Sequence, residues 1–346
     1  MGDLQKRVRV GIVGTGWVAL KRHIPAFKRD SRATLSAILG REPTSTESVA
    51  RRFRISRSFI SLEKFLKEPL DMVSVCTPPG THARLVEAAI RAGKHVLVEK
   101  PMTLTSGEGQ ALEALAGNAG VVLCPAHNFL FSRSLEQAKS LLESGKAGDI
   151  QWAMGLLLSS WHRRLPTWFS ELPGGLFFDE APHFLYLMRH FLGELRVEHA
   201  WHTTGGDSLS GTERTEARLE GAHGAGYLTM WFGAPFSEWL FILFCSQAVL
   251  ILDLFRDILI HLPPEPAHRA RDVLKMSLVG TLHLWRGMSA SGIRSACGQL
   301  SYGHNQLVRR FLDAVIDGEK PPTSAQDGGA VVALMEEILR RSQEGI

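Results

Sequence analysis

The chain has 346 residues, 45% of them apolar and 21% charged, with a formal net charge of +4. That is enough for two domains with cores of their own, and too little charge, without interleaved aromatics, for a nucleic-acid platform. Four widely spaced cysteines (Cys76, Cys124, Cys245, Cys297) and scattered histidines exclude a zinc ribbon, a disulfide framework and a metal cluster as sequence-level readings. The first residues, "MGDLQKRVRV", run into a strand without an apolar signal core, and the longest apolar run, Leu240 to Leu252, is broken by Ser246 and Gln247. A soluble, cytoplasmic protein with no transmembrane segment is expected.

In chain order, "VRVGIV" (8–13) predicts a strand that feeds "GTGWVA" (14–19) and a helix. "ATLSAIL" (33–39) predicts a strand, "TESVARRF" (46–53) a helix, "DMVSVCT" (71–77) a strand and "THARLVEAAIRAG" (81–93) a helix closed by glycine. "HVLVEKP" is the next strand, "SGEGQALEALAGNAG" (106–120) a helix and "VVLCPAHN" (121–128) a strand. Alternation at this spacing predicts βαβ crossovers and a mainly parallel sheet over residues 1–126. After the helix "SLEQAKSLLESG" (134–145), the runs "IQWAMGLLLSS", "VEHAWHTT", "TEARLEG", "GAGYLTMWF", "EWLFILFCS" and "AVLILDLF" follow closely. They predict an open, mainly antiparallel sheet in an α+β domain over 127–346, with a helical insertion at about 264–300. The fold class is therefore α/β followed by α+β.

Chemistry concentrates at predicted strand ends. G-x-G-x-x-A from Gly14 to Ala19 supplies a tight turn at Gly14, a close backbone approach at Gly16 and a small residue for helix packing. The N–H groups of the helix that follows favour a pyrophosphate. Where a ribose-gripping carboxylate is expected after the second strand, Gly40 is followed by Arg41, with Thr44 and Ser45 nearby. A guanidinium suits a ribose phosphate, so NADP(H) is favoured; with Glu42 in the acidic role, NAD(H) is the alternative. "VLVEKPM" ends a buried-looking strand on Glu99 and Lys100, and an amine at such a strand end can exchange a proton while hydride moves to or from a cofactor. In "DEAPH", Asp179 and His183 lie four residues apart, hence on one helix face, with Gly174–Gly175 before them. Pro182 suits a first helical turn, which makes Asp179 a candidate N-cap.

The stretches "VGIVGTGWVALKRHIPAF", "VSVCTPPGTHARLVEAAIRAGKHVLVEKPM", "GGLFFDEAPHFLYL" and "FLDAVIDGEKPPTSAQDGGAVVALMEEILRRS" together resemble the Gfo/Idh/MocA oxidoreductase family. The resemblance implies a Rossmann domain followed by an open sheet, a nicotinamide cofactor and a homodimer or homotetramer. It implies Lys100 as the catalytic lysine and Asp179 and His183 as the catalytic Asp-x-x-x-His element. The cofactor set becomes Gly14, Thr15, Gly16, Trp17, Val18, Arg41, Ser45, Thr77, Pro78, His82, Glu99, Lys100 and Asn128. Lys100, Trp168, His183 and Tyr186 are the substrate candidates. The chain departs from the family pattern at Phe129–Leu130, Trp168–Phe169, Ala181 and Tyr186, where substrate or nicotinamide would be contacted. The expected activity is hydride transfer between nicotinamide C4 and a secondary alcohol or ketone of a sugar or sugar-nucleotide. A non-catalytic cofactor-binding sensor and a redox-assisted glycosidase are the alternatives.

Overall fold

A computed structural model describes residues 7–160, 162–163, 165–203, 213–265, 267 and 269–344. Thr204, the last residue of one predicted strand, lies outside this set. The described residues up to Asn128, together with His304–Ala333, form one unit; Phe129–Gly303 and the residues from Leu334 form another. Sequence reading assigned 127–346 to one domain, and the structure instead returns residues 304–333 to the first unit.

The first unit is a six-stranded sheet of β1 (Val8–Val13), β2 (Ala33–Leu39), β3 (Arg57–Phe59), β4 (Met72–Val75), β5 (His95–Val98) and β6 (Leu123–Pro125). Its order is β3-β2-β1-β4-β5-β6 and every pairing is parallel. The switch in strand order between β1 and β4 opens the crevice where doubly wound sheets take their ligands. Central strands are apolar on both faces because helices cover both: Val10, Ile12, Val73, Val75, Val96 and Val98 are all buried. The connecting helices are α1 (Ile24–Arg29), preceded by a π-turn over Ala19–His23, α2 (Pro43–Phe53), α3 (Leu62–Leu66), α4 (His82–Arg91) and α5 (Ser106–Ala119). Thr105 and Glu108 form a capping box on α5, and Gly120 closes it in the left-handed conformation.

Three features depart from expectation here. β3 and α3 were not anticipated, because three largely exposed residues and five helical ones carry almost no periodicity. The predicted strand over 121–128 shrinks to Leu123–Pro125.

The second unit begins with α6 (Arg133–Glu143) and β7 (Ile150–Ser160), then α7 (Leu176–Leu192). β8 (Leu195–Thr203), β9 (Arg214–Gly221), β10 (Gly224–Ala234), β11 (Glu238–Cys245), β12 (Val249–Asp253) and β13 (Ile258–Leu262) follow. The seven strands run in the order β13-β12-β11-β7-β10-β9-β8, antiparallel except for the β7–β10 pair. Alternation sends Ala153, Gly155, Leu157, Leu228, Met230 and Phe241 to one buried face. Gly155 lets α7 sit close: a Cβ there would lie 2.7 Å from Phe184 Cδ1. The opposite face is apolar but only half-buried, with Trp152 stacked on Phe244 at 3.6 Å and Tyr227 meeting it edge-on.

The segment at 264–300 resolves into one long helix, α8 (Ala270–Ala296), lying along β13, a strand the sequence reading missed. Gly287 permits the approach, since a Cβ there would collide with Ile258. Leu274, Leu278, Trp285 and Ile293 point outward and are exposed. The chain ends in α9 (His304–Asp317), in the first unit, and α10 (Ala325–Glu344), whose residues from Leu334 belong to the second. Among the described residues no helix is long and apolar enough to cross a membrane.

Candidate active site

The dinucleotide cradle is built where β1, β2 and β4 end. Gly14 adopts φ +109°, and a Cβ there would lie 2.7 Å from Cys76 O and 3.3 Å from Thr77 Cγ2, so only glycine passes between the β1 and β4 ends. Gly16 has nothing within 4 Å of where a Cβ would stand, which leaves its backbone open to a ligand. Trp17 stands out at 64% exposure beside the turn, with the Arg22 guanidinium over its ring at 4.9 Å. A tight turn, an open backbone at Gly16 and a following helix fit a dinucleotide pyrophosphate.

At the end of β2 the backbone of Gly40 is hemmed in: a Cβ would collide with Thr46 Oγ1 and lie 3.1 Å from Thr15 Cγ2. No carboxylate side chain can be carried at this position without moving Thr46. Glu42 is the N-cap of α2, its carboxylate accepting from Ser45 N (2.6 Å) and Thr44 N (3.1 Å). The Ser45 and Thr44 N–H groups hold that carboxyl below its ordinary range. Arg41 is exposed beside it.

Thr77, Pro78 and His82 brace the adjoining strand ends. His82 is fully buried, with Nε2 2.8 Å from Thr77 O and Nδ1 2.8 Å from Pro101 O. It ties the loop after β4 to the loop after β5, and burial lowers its pKa although both carbonyls favour a proton. Asn128 is buried at the far end of the unit's first stretch of chain.

Glu99 and Lys100 sit where β5 ends, and the Lys100–Pro101 peptide bond is cis. Glu99 is buried, its Oε1 2.6 Å from His23 Nε2 and 3.7 Å from His304 Nε2, while His23 Nδ1 lies 2.8 Å from Ser74 Oγ. Glu99 Oε2 accepts from the Lys100 N–H at 3.2 Å. Burial alone would keep the carboxyl protonated, but His23 and His304 hold it well below its usual range. Burial likewise disfavours the His23 imidazolium, yet the Cys76 sulfur and Glu99 outweigh it and raise the pKa to about 10. The π-turn over Ala19–His23 brings His23 to this place. Histidines that are scattered in sequence thus converge: ligand atoms of His23, Glu99 and His304 lie within 4.8 Å of one another, close enough for a metal but joined here as a hydrogen-bonded ion pair. Sequence reasoning missed this cluster, because its members are 76 and 205 residues from one another along the chain and carry no motif.

In the second unit, α7 holds Asp179, His183 and Tyr186. The helix starts at Leu176, not at Asp179: Gly174 and Gly175 take positive φ, and Gly175 is the N-cap. The Glu213 carboxylate supplies the missing cap, accepting from Phe177 N (2.6 Å) and Leu176 N (3.3 Å). Asp179 is therefore inside the first turn, and Pro182 is a mid-helix residue that cannot donate to the Phe178 carbonyl. Burial raises Glu213 to about 7 against the pull of those two N–H groups and Arg163. Glu213, missed from sequence, is the external residue that fixes where α7 begins.

His183 is buried in an aromatic enclosure, with Phe129 at 4.9 Å, Trp239 at 5.6 Å and Tyr186 at 5.7 Å between ring centres. Its Nδ1 lies 2.9 Å from Tyr186 Oη, which also accepts from Phe129 N at 3.1 Å. Expectation gave the ring-orienting role to Asp179; at Nδ1 that place is held by Tyr186. Glu180, next to Asp179, accepts from Arg163 Nη1 at 2.9 Å. Trp168 is half-buried at the short 3-10 turn that precedes the glycine pair.

Residues 8–127 match the model of the "Oxidoreductase family, NAD-binding Rossmann fold", and residues 135–231 match the "GFO/IDH/MocA C-terminal domain". The chain belongs to the Gfo/Idh/MocA oxidoreductase family. It is 32% identical over 222 residues to the 1-carboxy-3-chloro-3,4-dihydroxycyclohexa-1,5-diene dehydrogenase of Comamonas testosteroni, covering 63% of this chain and 54% of that one. To the dTDP-3,4-didehydro-2,6-dideoxy-alpha-D-glucose 3-reductase of Saccharopolyspora spinosa it is 32% identical over 200 residues, 56% of this chain and 59% of that one. The matches thus span only a little over half the length of these relatives. The WlbA dehydrogenase of Bordetella pertussis, solved with NADH and UDP-GlcNAcA, shares the fold with TM-score 0.78 at 21% identity, covering 100% of this chain and 98% of that one.

Proposed function

We propose that this family member is an NADP(H)-preferring oxidoreductase acting on a secondary alcohol or ketone of a sugar or sugar-nucleotide, with Lys100 and His183 as its acid–base groups. The observation that carries the reading is the end of β5, where a buried, doubly braced Glu99 fixes the backbone that bears Lys100. A bound nicotinamide supplies the hydride donor or acceptor at C4.

Support for NADP comes from the end of β2. Gly40 has no room for a carboxylate, Glu42 is committed to capping α2, and Arg41 is the exposed charge at that position. A guanidinium there suits a ribose phosphate. Lys100, as an ammonium, donates to the substrate oxygen and steadies negative charge that develops on it. Tyr186 commits Nδ1 of His183, so proton exchange with substrate falls to Nε2. Asp179, buried four residues before His183 on α7, supports the imidazolium. Sugar-type substrates are inferred from the reductase and the UDP-GlcNAcA-bound relative. The half-buried apolar face of the second sheet suits packing against a second copy, so a homodimer or homotetramer is part of the proposal.

The test is a screen of keto-sugar nucleotides for oxidation of NADPH, repeated with Lys100→Met. Turnover should fall by about 10²–10⁴-fold with dinucleotide affinity retained; unchanged turnover would remove Lys100 from the chemistry.

A further inference from the structure

Away from both groups of residues, α6, β13 and α8 enclose a cleft of about 280 Å³ in the second unit. Its charge is one-sided. Arg133 from α6 and Arg286 and Arg294 from α8 line it with His283, against one carboxylate, Asp257. Asp257 is already committed: Oδ1 accepts from Ser134 N at 2.9 Å, and Oδ2 is 3.7 Å from Arg294 Nη2. Two positive charges are left over, and Arg133 and Arg286 have no ion pair among the described residues. Arg294 is only 18% exposed, and its Nε and Nη1 are buried without a protein acceptor. Buried guanidinium donors left without acceptors are costly in a fold and call for an anion.

The cleft exists because α8 carries small residues beneath its arginines. Arg286, Ala290 and Arg294 recur at helical spacing, and Gly287 lets the helix settle onto Ile258. We propose that this cleft is a binding site for the phosphate group of a small anionic ligand. Three arginines lining one cleft offer planar guanidiniums that suit the several oxygens of a phosphate, each able to bind in a bidentate fashion. The volume suits a phosphate or diphosphate, not a whole nucleotide. The site belongs to the helical insertion and is independent of the redox reading.

Isothermal titration with inorganic pyrophosphate, at saturating NADPH and fixed ionic strength, tests it in the intact chain. One saturable component should appear and weaken at least about tenfold in Arg286→Gln and Arg294→Gln, the loss expected for a charged hydrogen bond. Arg286 is exposed, so its variant stays folded even if Arg294→Gln does not. Lys275→Gln, an exposed charge on the same helix outside the cleft, should bind as the parent does. The proposal is overturned by no saturable binding, by binding unchanged in Arg286→Gln, or by equal weakening in Lys275→Gln. Malonate binding as tightly as pyrophosphate would overturn the phosphate assignment. A component that survives in Arg286→Gln lies elsewhere, so failure of this site and failure of the dinucleotide cradle give different results.

Discussion

Lys100 and His183 are supported in opposite ways. The backbone of Lys100 leans on a buried ion pair, Glu99 with His23, with a second histidine 3.7 Å away. His183 leans on a hydroxyl and three aromatic rings. Charge in a dry interior is strong only while both partners are ionised, and it is expensive when one is lost. A hydroxyl and ring edges respond little to pH but set direction. The end of β5 should therefore be the pH-sensitive and fragile support, and α7 the tolerant one.

The largest effect should follow Glu99→Gln, which leaves His23 facing a neutral amide. Breaking a buried pair costs about 3–5 kcal/mol, so thermal unfolding should drop by many degrees. The pH dependence has a defined sign. His23 is raised from 6.5 to about 10, so its contribution is full below pH 6.5 and is lost as pH rises towards 10. Glu99 is lowered, so its contribution is present above 4.5 and is lost as pH falls below that. Stability from this pair should peak between those values, and a melt series of the variant should show a shallower alkaline decline, because Cys76 still favours the His23 imidazolium. A variant that keeps the wild-type profile would mean the pair is not ionised.

Tyr186→Phe should be milder. It removes the acceptor from Phe129 N, at about 1–3 kcal/mol, and releases Nδ1 of His183. The decisive readout is kinetic: the pH limb assigned to the imidazole should move in kcat/KM, with dinucleotide affinity unchanged. A purely structural tyrosine would lower stability and leave that limb in place.

Glu213→Gln should be smallest, since an amide oxygen still caps α7. Burial raises the carboxyl from 4.5 to about 7, so its contribution favours the fold at low pH and is lost as pH rises through 7. The variant should flatten that slope between pH 4.5 and 7; an unchanged slope would assign it to another group.

The same contrast explains what the sequence made legible. β1, β2, β4 and β5 are mostly apolar runs followed within three residues by glycine or proline, and their chemistry follows a strand end, so Gly14, Gly16 and Lys100 could be read locally. α8 was visible as an amphipathic stretch, but its partner β13 was not, because a strand of only five residues carries too little periodicity to be read. Supports made by distant residues were silent. His304 reaches Glu99 from 205 residues away, and Glu213 caps α7 from 36 residues beyond Phe177. The α7 start differs for that reason: Pro182 carries a first-turn signal, while the cap that decides the matter comes from Glu213, just before β9.

The cradle and its preference between the two dinucleotides are open to one direct measurement. Trp17 is exposed beside Gly16, so titration with NADPH and with NADH can be followed by tryptophan quenching in the parent and in Arg41→Asp. Saturable NADPH binding, tighter than NADH and weakened in Arg41→Asp, is the predicted result. No saturable change with either nucleotide, in protein shown to be free of nicotinamide absorbance, would contradict the oxidoreductase reading.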